Sequence, residues 1–288
     1  MIGSRLDIRQ TGSDEKDFAR NAYIVQIDID PAQLNNRIHA KLNICSNAES
    51  FFTNFTLTSD TFSNTLPSWL TELTKKRDLS QINEYQDWKI SPSEIFKKLN
   101  SKLKDCPINY VCDVGNHQMW AAQNLRLAPQ HTVHYSGGMG AMGFALPAAI
   151  GIAIQSKNKV IVVTGDGSLQ INIQELDTLH RLNLDIVILI MNNFSLGMVK
   201  NFQDMYFNGR DQSTRKGYSA PSFSSIAKAY GIKSHHVVGS SEIENIIDLI
   251  KENKGPLLIE VEMEGATECR PRLSFGSKLD NQIPKLNE

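Results

Sequence analysis

Residues 159–193 read KVIVVTGDGSLQINIQELDTLHRLNLDIVILIMNN, two apolar segments joined by a more polar one. The first apolar segment ends in a Gly-Asp-Gly turn and the second ends in two asparagines. Twenty-four residues separate Gly167 from Asn192 (192 − 167 − 1), enough for one crossover helix and the return strand. We expect that helix over Ile171–Leu182. The pattern predicts a parallel βαβ unit.

The same alternation extends from about residue 91 to residue 262. A helix is expected to begin at Ser91-Pro92, because Ser and Pro are favoured at a helix start and apolar residues recur at Ile95, Leu99 and Leu103. Apolar strands alternating with helices predict an α/β fold with a parallel sheet covered by helices on both faces. Further elements are expected at 109–113, 143–155, 223–230, 242–251 and 256–262.

The residues before this alternation are less regular. Residues 23–31 predict a buried strand that ends in an acidic turn. Residues 46–90 are rich in Ser, Thr, Asn and Lys, and we expect a connecting segment there with one amphipathic helix over 66–77.

Composition excludes several classes of partner. Thirty Lys and Arg against thirty-one Asp and Glu give a net charge of −1, so nothing favours nucleic acid or an anionic membrane. The four cysteines form no C-x-x-C pair, and no apolar run of about eighteen residues predicts a membrane span. With no apolar signal segment, we expect a cytoplasmic protein.

The polar ends of the two strands in residues 159–193 predict a binding site. In a parallel βαβ unit both carboxyl ends lie at one edge of the sheet, so Asp166 and Asn193 can converge. Carboxylate and amide oxygens suit a hard cation such as Mg²⁺. Gly165 and Gly167 allow close approach of the backbone, and the following helix N-terminus favours an anion. The chemistry implied is a metal-bridged diphosphate.

Gly-Asp-Gly followed by Asn-Asn at this spacing resembles the diphosphate-binding signature of thiamine-diphosphate (ThDP) enzymes. Three more stretches resemble the acetolactate synthase large subunits of that family. They are DVGNHQMWAAQ at 113–123, GGMGAMGFALP at 137–147 and LGMV at 196–199. A single Gly-Asp-Gly is common at turns, but four motifs in the family's order are specific.

The resemblance also implies how the chain is divided. Residues 1–55 resemble the second half of the family's Rossmann-like central domain, so this domain is expected to be incomplete. Residues 56–90 would then be a linker, and 91–288 the ThDP diphosphate-binding domain with a C-terminal tail. Family members carry a pyrimidine-binding domain before the central one, so we expect this chain to be the C-terminal half of a longer polypeptide, from a split or truncated gene.

The resemblance implies a role for each motif residue. The expected metal ligands are one carboxylate, one amide and one backbone carbonyl: Asp166, Asn193 and Ser195. The expected cofactor contacts are Asn116, His117, Gly140, Met142, Gly165, Gly167, Ser168 and Met198. Met142 would be the apolar wedge beneath the bent cofactor, and the Gly140 carbonyl would accept a hydrogen bond from the 4′-amino group. Met198 and Phe202 would line the substrate cleft, with Phe202 where many synthases have tryptophan.

Each of these roles has a plainer alternative. Asp166 could only cap the helix after Gly167, as Asp often does at a strand-to-helix turn. His117 could be a solvated histidine, and Met142 an ordinary core residue. Asn116 stands where the synthases usually have glutamine, although a shorter amide can still donate a hydrogen bond.

The implied activity is ThDP- and Mg²⁺-dependent decarboxylation of a 2-keto acid such as pyruvate, followed by carboligation, as in branched-chain amino acid biosynthesis. The activating glutamate of the family lies on the pyrimidine domain, and no residue here matches it. We therefore expect no catalytic residue in this chain, and a homodimer or a complex with a chain that carries that domain.

Two alternative functions stay open, together with the question of a flavin. The chain could be another ThDP-dependent decarboxylase, oxidase or carboligase, or a non-catalytic remnant. Arg5 and Arg9 match positions that hold FAD in flavin-containing relatives, but they could also be surface arginines. The sequence does not favour a nicotinamide-binding domain, because no G-x-G-x-x-G follows the first strand.

Overall fold

The computed structural model describes residues 1–55, 66–80, 88–263, 265, 268–278 and 281–284. They divide into a smaller unit, Met1–Ile82 with Arg270–Glu288, and a larger unit, Asn83–Cys269. The predicted linker lies partly outside the described residues, and the predicted domain boundaries stay a prediction. The two units are described separately below.

The smaller unit contains a two-stranded parallel sheet in which Val25 lies opposite Leu42. The strand predicted over 23–31 is shorter than expected, and the helix predicted over 66–77 is confirmed with three more residues. The strands are β1 (Val25–Asp28) and β2 (Leu42–Cys45), and the helices are α1 (Ile8–Thr11), α2 (Ala48–Asn54) and α3 (Leu66–Ser80). Short 3-10 helices cover Glu15–Asp17 and Pro31–Gln33.

The larger unit contains a six-stranded sheet whose neighbouring strands all pair in parallel. Its strands are β3 (Ile108–Cys112), β4 (Thr132–Tyr135), β5 (Lys159–Gly165), β6 (Ile186–Asn192), β7 (Lys233–Val237) and β8 (Leu257–Glu262). They lie in the order β4-β3-β5-β6-β8-β7. The two central strands, β5 and β6, are buried at every position.

Helices cover both faces of this sheet, as predicted. They are α4 (Pro92–Leu103), α5 (Asn116–Asn124), α6 (Ala145–Ser156), α7 (Asp166–Ile171), α8 (Glu175–Leu182), α9 (Gly197–Tyr206), α10 (Phe223–Ala229) and α11 (Ile243–Glu252). A short 3-10 helix at Ser240–Glu242 leads into α11. Side chains of α4, α5 and α11 share one apolar core with Ile161 and Val163, and side chains of α6, α8 and α10 share the other with Val160 and Val162. Successive strand residues point to opposite faces, which separates the two cores.

The prediction of one helix over Ile171–Leu182 is wrong. The helix begins five residues earlier, at Asp166, and it is interrupted at residues 172–174. The Asn172 side-chain amide donates to the Gly143 carbonyl over 2.8 Å. A Cβ on Gly143 would lie 2.7 Å from the Ile171 Cβ, so this turn approaches α7 closely. Asn172 leaves the helical conformation and ties α7 to the 137–147 segment.

In the larger unit, two strands and two helices are absent from the predicted set. The strands β4 and β7 form the two edges of the sheet. Their sequences, TVHY and KSHHV, contain polar residues rather than an apolar run. An edge strand is covered on fewer sides, so its sequence lacks the continuous apolar pattern of a central strand. The helices α5 and α9 were not expected either, and α9 begins four residues after Asn193.

The C-terminal tail groups with the smaller unit, whereas the sequence assigned it to the larger domain. The Gly276 N–H donates to the Ser13 hydroxyl oxygen over 2.7 Å, and Arg272 and Ile283 pair through their backbones. Within the described ranges, none of the helices is long and apolar enough to span a bilayer.

We expect Asn172→Ala to lower the free energy of unfolding by about 1–3 kcal/mol, because the Gly143 carbonyl would lose its donor. Asn245→Ala, at an exposed position of α11, is the matched control and should change stability by less than about 0.5 kcal/mol. Urea denaturation followed by circular dichroism measures both. Equal effects of the two changes would show that the Asn172 bond is unimportant.

Candidate functional site

The carboxyl ends of β5 and β6 form the centre of the candidate site. Their register places Gly165 opposite Met191, so Asp166 and Asn192, the next residues, lie at the same edge of the sheet. A cavity of about 240 Å³ opens there. It is lined by Val114, Gly115, Asn116, His117, Trp120, Gly140, Met142, Gly165, Asp166, Gly167, Ser168, Met191, Asn193, Ser195, Leu196, Gly197, Met198 and Val199.

The cavity brings together every residue predicted for the cofactor or the metal. The exception among the predicted site residues is Phe202, which lies outside the cavity lining. Its side chain is 45% exposed on α9, and its ring centroid lies 4.7 Å from that of Tyr206. The assignment of Phe202 to a substrate pocket therefore stays a prediction.

Asp166 is a buried carboxyl at the start of α7. Its Oδ2 atom has no hydrogen-bond partner among the described residues. Burial raises the pKa of Asp166 to about 6, while hydrogen bonds from Tyr218 and from the backbone N–H groups of Gly167 and Ser195 oppose that rise. A cation beside Oδ2 would supply the missing partner, so this carboxyl fits the predicted metal site.

The asparagine pair divides into a structural and a cavity-lining residue. Asn192 is fully buried and donates to Glu260 Oε1 over 3.0 Å, while its Oδ1 accepts from the Phe194 N–H over 3.1 Å. Phe194 has φ of +54°, a left-handed conformation that reverses the chain. Asn193 and Ser195, on either side of it, both line the cavity.

His117 packs between two glycines. A Cβ on Gly115 would lie 2.5 Å from the His117 Cε1, and a Cβ on Gly165 would lie 2.8 Å from its Nδ1, so both positions exclude a side chain. The Nε2 atom is buried without a partner in the described part of the chain. Burial lowers the pKa of His117 to about 3, so the imidazole is neutral near pH 7. His117 is thus a buried residue of the site, not a solvated histidine.

The hydroxyl of Ser168 already has a protein partner. It donates to the Val114 carbonyl over 2.9 Å and thereby ties α7 to the end of β3. The lone pairs of the hydroxyl oxygen cannot bond an anion, so diphosphate binding at Ser168 would use its backbone N–H or a rotated hydroxyl.

The 137–147 segment is held over the cavity by Asp113, at the end of β3. The two carboxylate oxygens of Asp113 accept from the N–H groups of Gly143 and Ala145, each over 2.9 Å. Gly140 has φ of +68°, and Met142 is 37% exposed at the cavity rim. Gly140 and Met142 therefore line the cavity on a segment that is held by a buried carboxylate, and this carboxylate is not itself part of the cavity lining.

Three residues that shape the site had no predicted role: Asp113, Gly197 and Tyr218. A Cβ on Gly197 would lie 2.5 Å from Asn116 Nδ2 and 2.8 Å from Asn193 Nδ2, so only glycine leaves room for both amides. The Tyr218 hydroxyl accepts from Gln170 Nε2 over 3.3 Å and interacts with Asp166. Asp113 and Gly197 lie within the quoted motifs, but no local signal marks Tyr218, which a long loop brings to the site.

The donor set suits a hard cation. No cluster of three or more His, Cys, Asp or Glu side chains suited to a metal occurs in the described part of the chain. The cavity instead offers one carboxylate with amide, hydroxyl and carbonyl oxygens, the ligands that Mg²⁺ accepts. For a flavin, Arg5 is exposed and the side chain of Arg9 lies outside the described residues.

Two family profiles match the chain. One, described as the C-terminal TPP binding domain of thiamine pyrophosphate enzymes, matches residues 113–261, and this range contains the whole cavity. The other, described as the central domain of thiamine pyrophosphate enzymes, matches residues 1–55.

Relatives with assigned names match almost the full chain. A "Probable acetolactate synthase large subunit" of Methanococcus aeolicus is 32% identical over 100% of this chain and 50% of its own length. An "Acetolactate synthase large subunit" of Cyanidium caldarium is 33% identical, with 100% and 49% covered. The "Acetolactate synthase isozyme 2 large subunit" of Escherichia coli is 30% identical, with 99% and 51% covered. The chain spans about half the length of the curated relatives it matches.

The buried neutral His117 should make stability depend on pH. Its folded pKa, about 3, lies below the value of about 6.5 expected for the unfolded chain, so only the unfolded state takes up this proton between those values. The contribution of the neutral imidazole to the free energy of unfolding is complete above about pH 6.5 and is lost as the pH falls. At pH 5 the loss should be about 2 kcal/mol.

Urea denaturation at pH 7 and pH 5 measures the contribution of His117 to the free energy of unfolding. His117→Gln should lose about 2 kcal/mol less than the wild type between the two pH values. His39→Gln, at an exposed histidine, should follow the wild type. Identical pH dependence of wild type and His117→Gln would contradict the burial of a neutral ring.

Proposed function

The chain belongs to the thiamine pyrophosphate enzyme family, and on that premise we propose that it holds the diphosphate and metal of ThDP in an acetolactate-synthase-like active site. The observation that supports this most directly is the buried Asp166 Oδ2, which lines the cavity without a partner. A buried carboxylate oxygen is costly unless something pairs with it, and a cation would do so.

The metal in this proposal is Mg²⁺. Asp166 Oδ2, the Asn193 side-chain oxygen and the Ser195 backbone carbonyl would hold it, and water and diphosphate oxygens would complete its coordination. All three residues line one cavity. The neutral His117, whose Nε2 has no protein partner among the described residues, would face the diphosphate.

The organic part of the cofactor would lie against the 137–147 segment. Gly140 and Met142 line the cavity on this side, and Asp113 holds their segment through the backbone of Gly143 and Ala145. ThDP supplies the stabilised carbanion that decarboxylation of a 2-keto acid requires, which no side chain provides. The chain's own contribution is to bind and orient the cofactor in a cavity that is largely apolar, with Met198 toward the substrate.

In this proposal, activation of the cofactor needs a second carboxylate, which another polypeptide provides. Asp166 is the only carboxylate among the described residues that line the cavity, and the metal would occupy it. Met142 and Val199 line the cavity yet are 37% and 51% exposed, an apolar rim that suits contact with another polypeptide surface. We propose that a chain with a pyrimidine-binding domain supplies the carboxylate, and that this chain or a second copy covers the rim.

The reaction in this proposal is decarboxylation of a pyruvate-like 2-keto acid with carboligation to an acceptor. The names of the relatives, acetolactate synthase large subunits, support it and suggest a place in branched-chain amino acid synthesis. No disulfide joins the four cysteines, all of which lie among the described residues, and this agrees with a reducing compartment such as the cytoplasm.

Asp166→Ala should weaken the binding of ThDP with Mg²⁺ by at least about thirtyfold, because a buried charge pairing worth about 2 kcal/mol or more is lost. Isothermal titration calorimetry on the purified full chain measures this. Asp177→Ala, which removes an exposed carboxylate of α8, is the matched control and should bind as the wild type does. Equal binding by Asp166→Ala and wild type would remove Asp166 from the metal site.

The purified chain alone should release no CO₂ from pyruvate, because its cavity lacks the activating carboxylate. Adding a chain that carries a pyrimidine-binding domain should restore activity, and Asp166→Ala should abolish the restored activity. Identification of the product by NMR would distinguish acetolactate from the product of another ThDP-dependent reaction. Release of CO₂ by the pure chain would contradict the proposed need for a partner.

A further inference from the structure

Buried polar atoms without a partner gather at the cavity. Among the described residues, seven buried side-chain atoms have no hydrogen-bond partner. Three of them belong to cavity-lining residues: His117 Nε2, Asp166 Oδ2 and Ser195 Oγ. Buried polar atoms are nearly always paired, so three orphans around one cavity point to a ligand that pairs with them.

The Ser195 hydroxyl is the orphan that has no role so far. Ser195 is 4% exposed and lines the cavity, yet its Oγ meets no acceptor or donor in the described part of the chain. The neighbouring Ser168 differs, since its hydroxyl donates to the Val114 carbonyl over 2.9 Å. The metal assignment uses only the backbone carbonyl of Ser195, so its hydroxyl is a separate group.

We propose that the Ser195 hydroxyl donates a hydrogen bond to a diphosphate oxygen of the bound ligand, which makes its side chain a binding group in addition to the backbone carbonyl. This inference rests on the proposed function, because it assumes that a metal diphosphate occupies the cavity.

The chemistry of the hydroxyl selects the acceptor. A hydroxyl hydrogen needs an acceptor, which a cation cannot be, and the bound metal would already occupy Asp166 Oδ2. A diphosphate oxygen is anionic, and hydrogen bonds to charged acceptors are about twice as strong as neutral ones. The ligand would therefore supply the hydrogen-bond partner that the buried Ser195 hydroxyl lacks in the free protein.

This predicts opposite effects of Ser195→Ala on the two states. In the free protein the change removes a buried polar group that makes no bond, so stability should be unchanged or higher. In the complex it removes a charge-assisted bond, so affinity should fall. The backbone carbonyl stays in place, and binding of the metal alone should not change.

Ser234→Ala provides the contrasting control. Ser234 lies on β7, away from the cavity lining, and its hydroxyl donates to the Ser224 carbonyl over 2.8 Å. Removing that hydroxyl should lower the melting temperature by roughly 2–4 °C for a loss of about 1 kcal/mol. It should leave ligand affinity unchanged.

The experiment compares the full-length wild type, Ser195→Ala and Ser234→Ala. Calorimetry gives the affinity for ThDP with Mg²⁺, electron paramagnetic resonance gives the affinity for Mn²⁺ alone, and thermal unfolding gives the stability of the free protein. For Ser195→Ala we expect affinity for ThDP with Mg²⁺ about tenfold lower, unchanged Mn²⁺ affinity and a melting temperature no lower than that of the wild type.

Three results would overturn the inference. Unchanged affinity of Ser195→Ala for ThDP with Mg²⁺ would mean that the hydroxyl does not bond the ligand. A lower melting temperature of the free variant would mean that the hydroxyl has a structural partner, and weaker Mn²⁺ binding would assign it to the metal shell. Absence of binding by the wild type is a different failure, since it would refute the proposed function itself.

Discussion

The site depends on the parallel register of β5 and β6. Residues 160–165 of β5 pair with residues 186–191 of β6, and Gly165 lies opposite Met191 at the carboxyl end. Because the ends coincide, the first residue after β5 and the polar residues at the end of β6 meet at one edge of the sheet. A shift of one residue would turn every apolar side chain of a strand to the opposite face, and the two cores exclude that shift.

The surrounding structure keeps this edge open. Asp113 supports the 137–147 segment, Asn172 ties that segment to α7, and Glu260 holds Asn192. Each of these bonds satisfies a buried polar group, so the residues that make them cannot turn toward a ligand. His117, Asp166 and Ser195 are left with unpaired atoms at the cavity. The protein alone therefore leaves these polar atoms of the cavity without hydrogen-bond partners among the described residues.

Prediction from the sequence was most accurate for buried elements. The central strands and α4 have strong patterns, since Ile95, Leu99 and Leu103 must all face one core. The edge strands β4 and β7 were missed because exposure permits polar residues there. The interruption at Asn172 could not be foreseen, because its cause is a bond to Gly143, twenty-nine residues away in sequence.

The order of residues alone was sufficient for the fold class and for placing Asp166 and Asn193 at one edge of the sheet, because strand periodicity and the ends of parallel strands are local properties of the chain. The roles of the motif residues came from the resemblance to ThDP enzymes. The folded chain was needed to separate Asn192 from Asn193, to show that His117 is enclosed by Gly115 and Gly165, and to bring Tyr218 to Asp166. It was needed also to leave the Ser195 hydroxyl without a partner. Burial and hydrogen-bond pairing depend on residues that are distant in sequence, so only the three-dimensional arrangement specifies them.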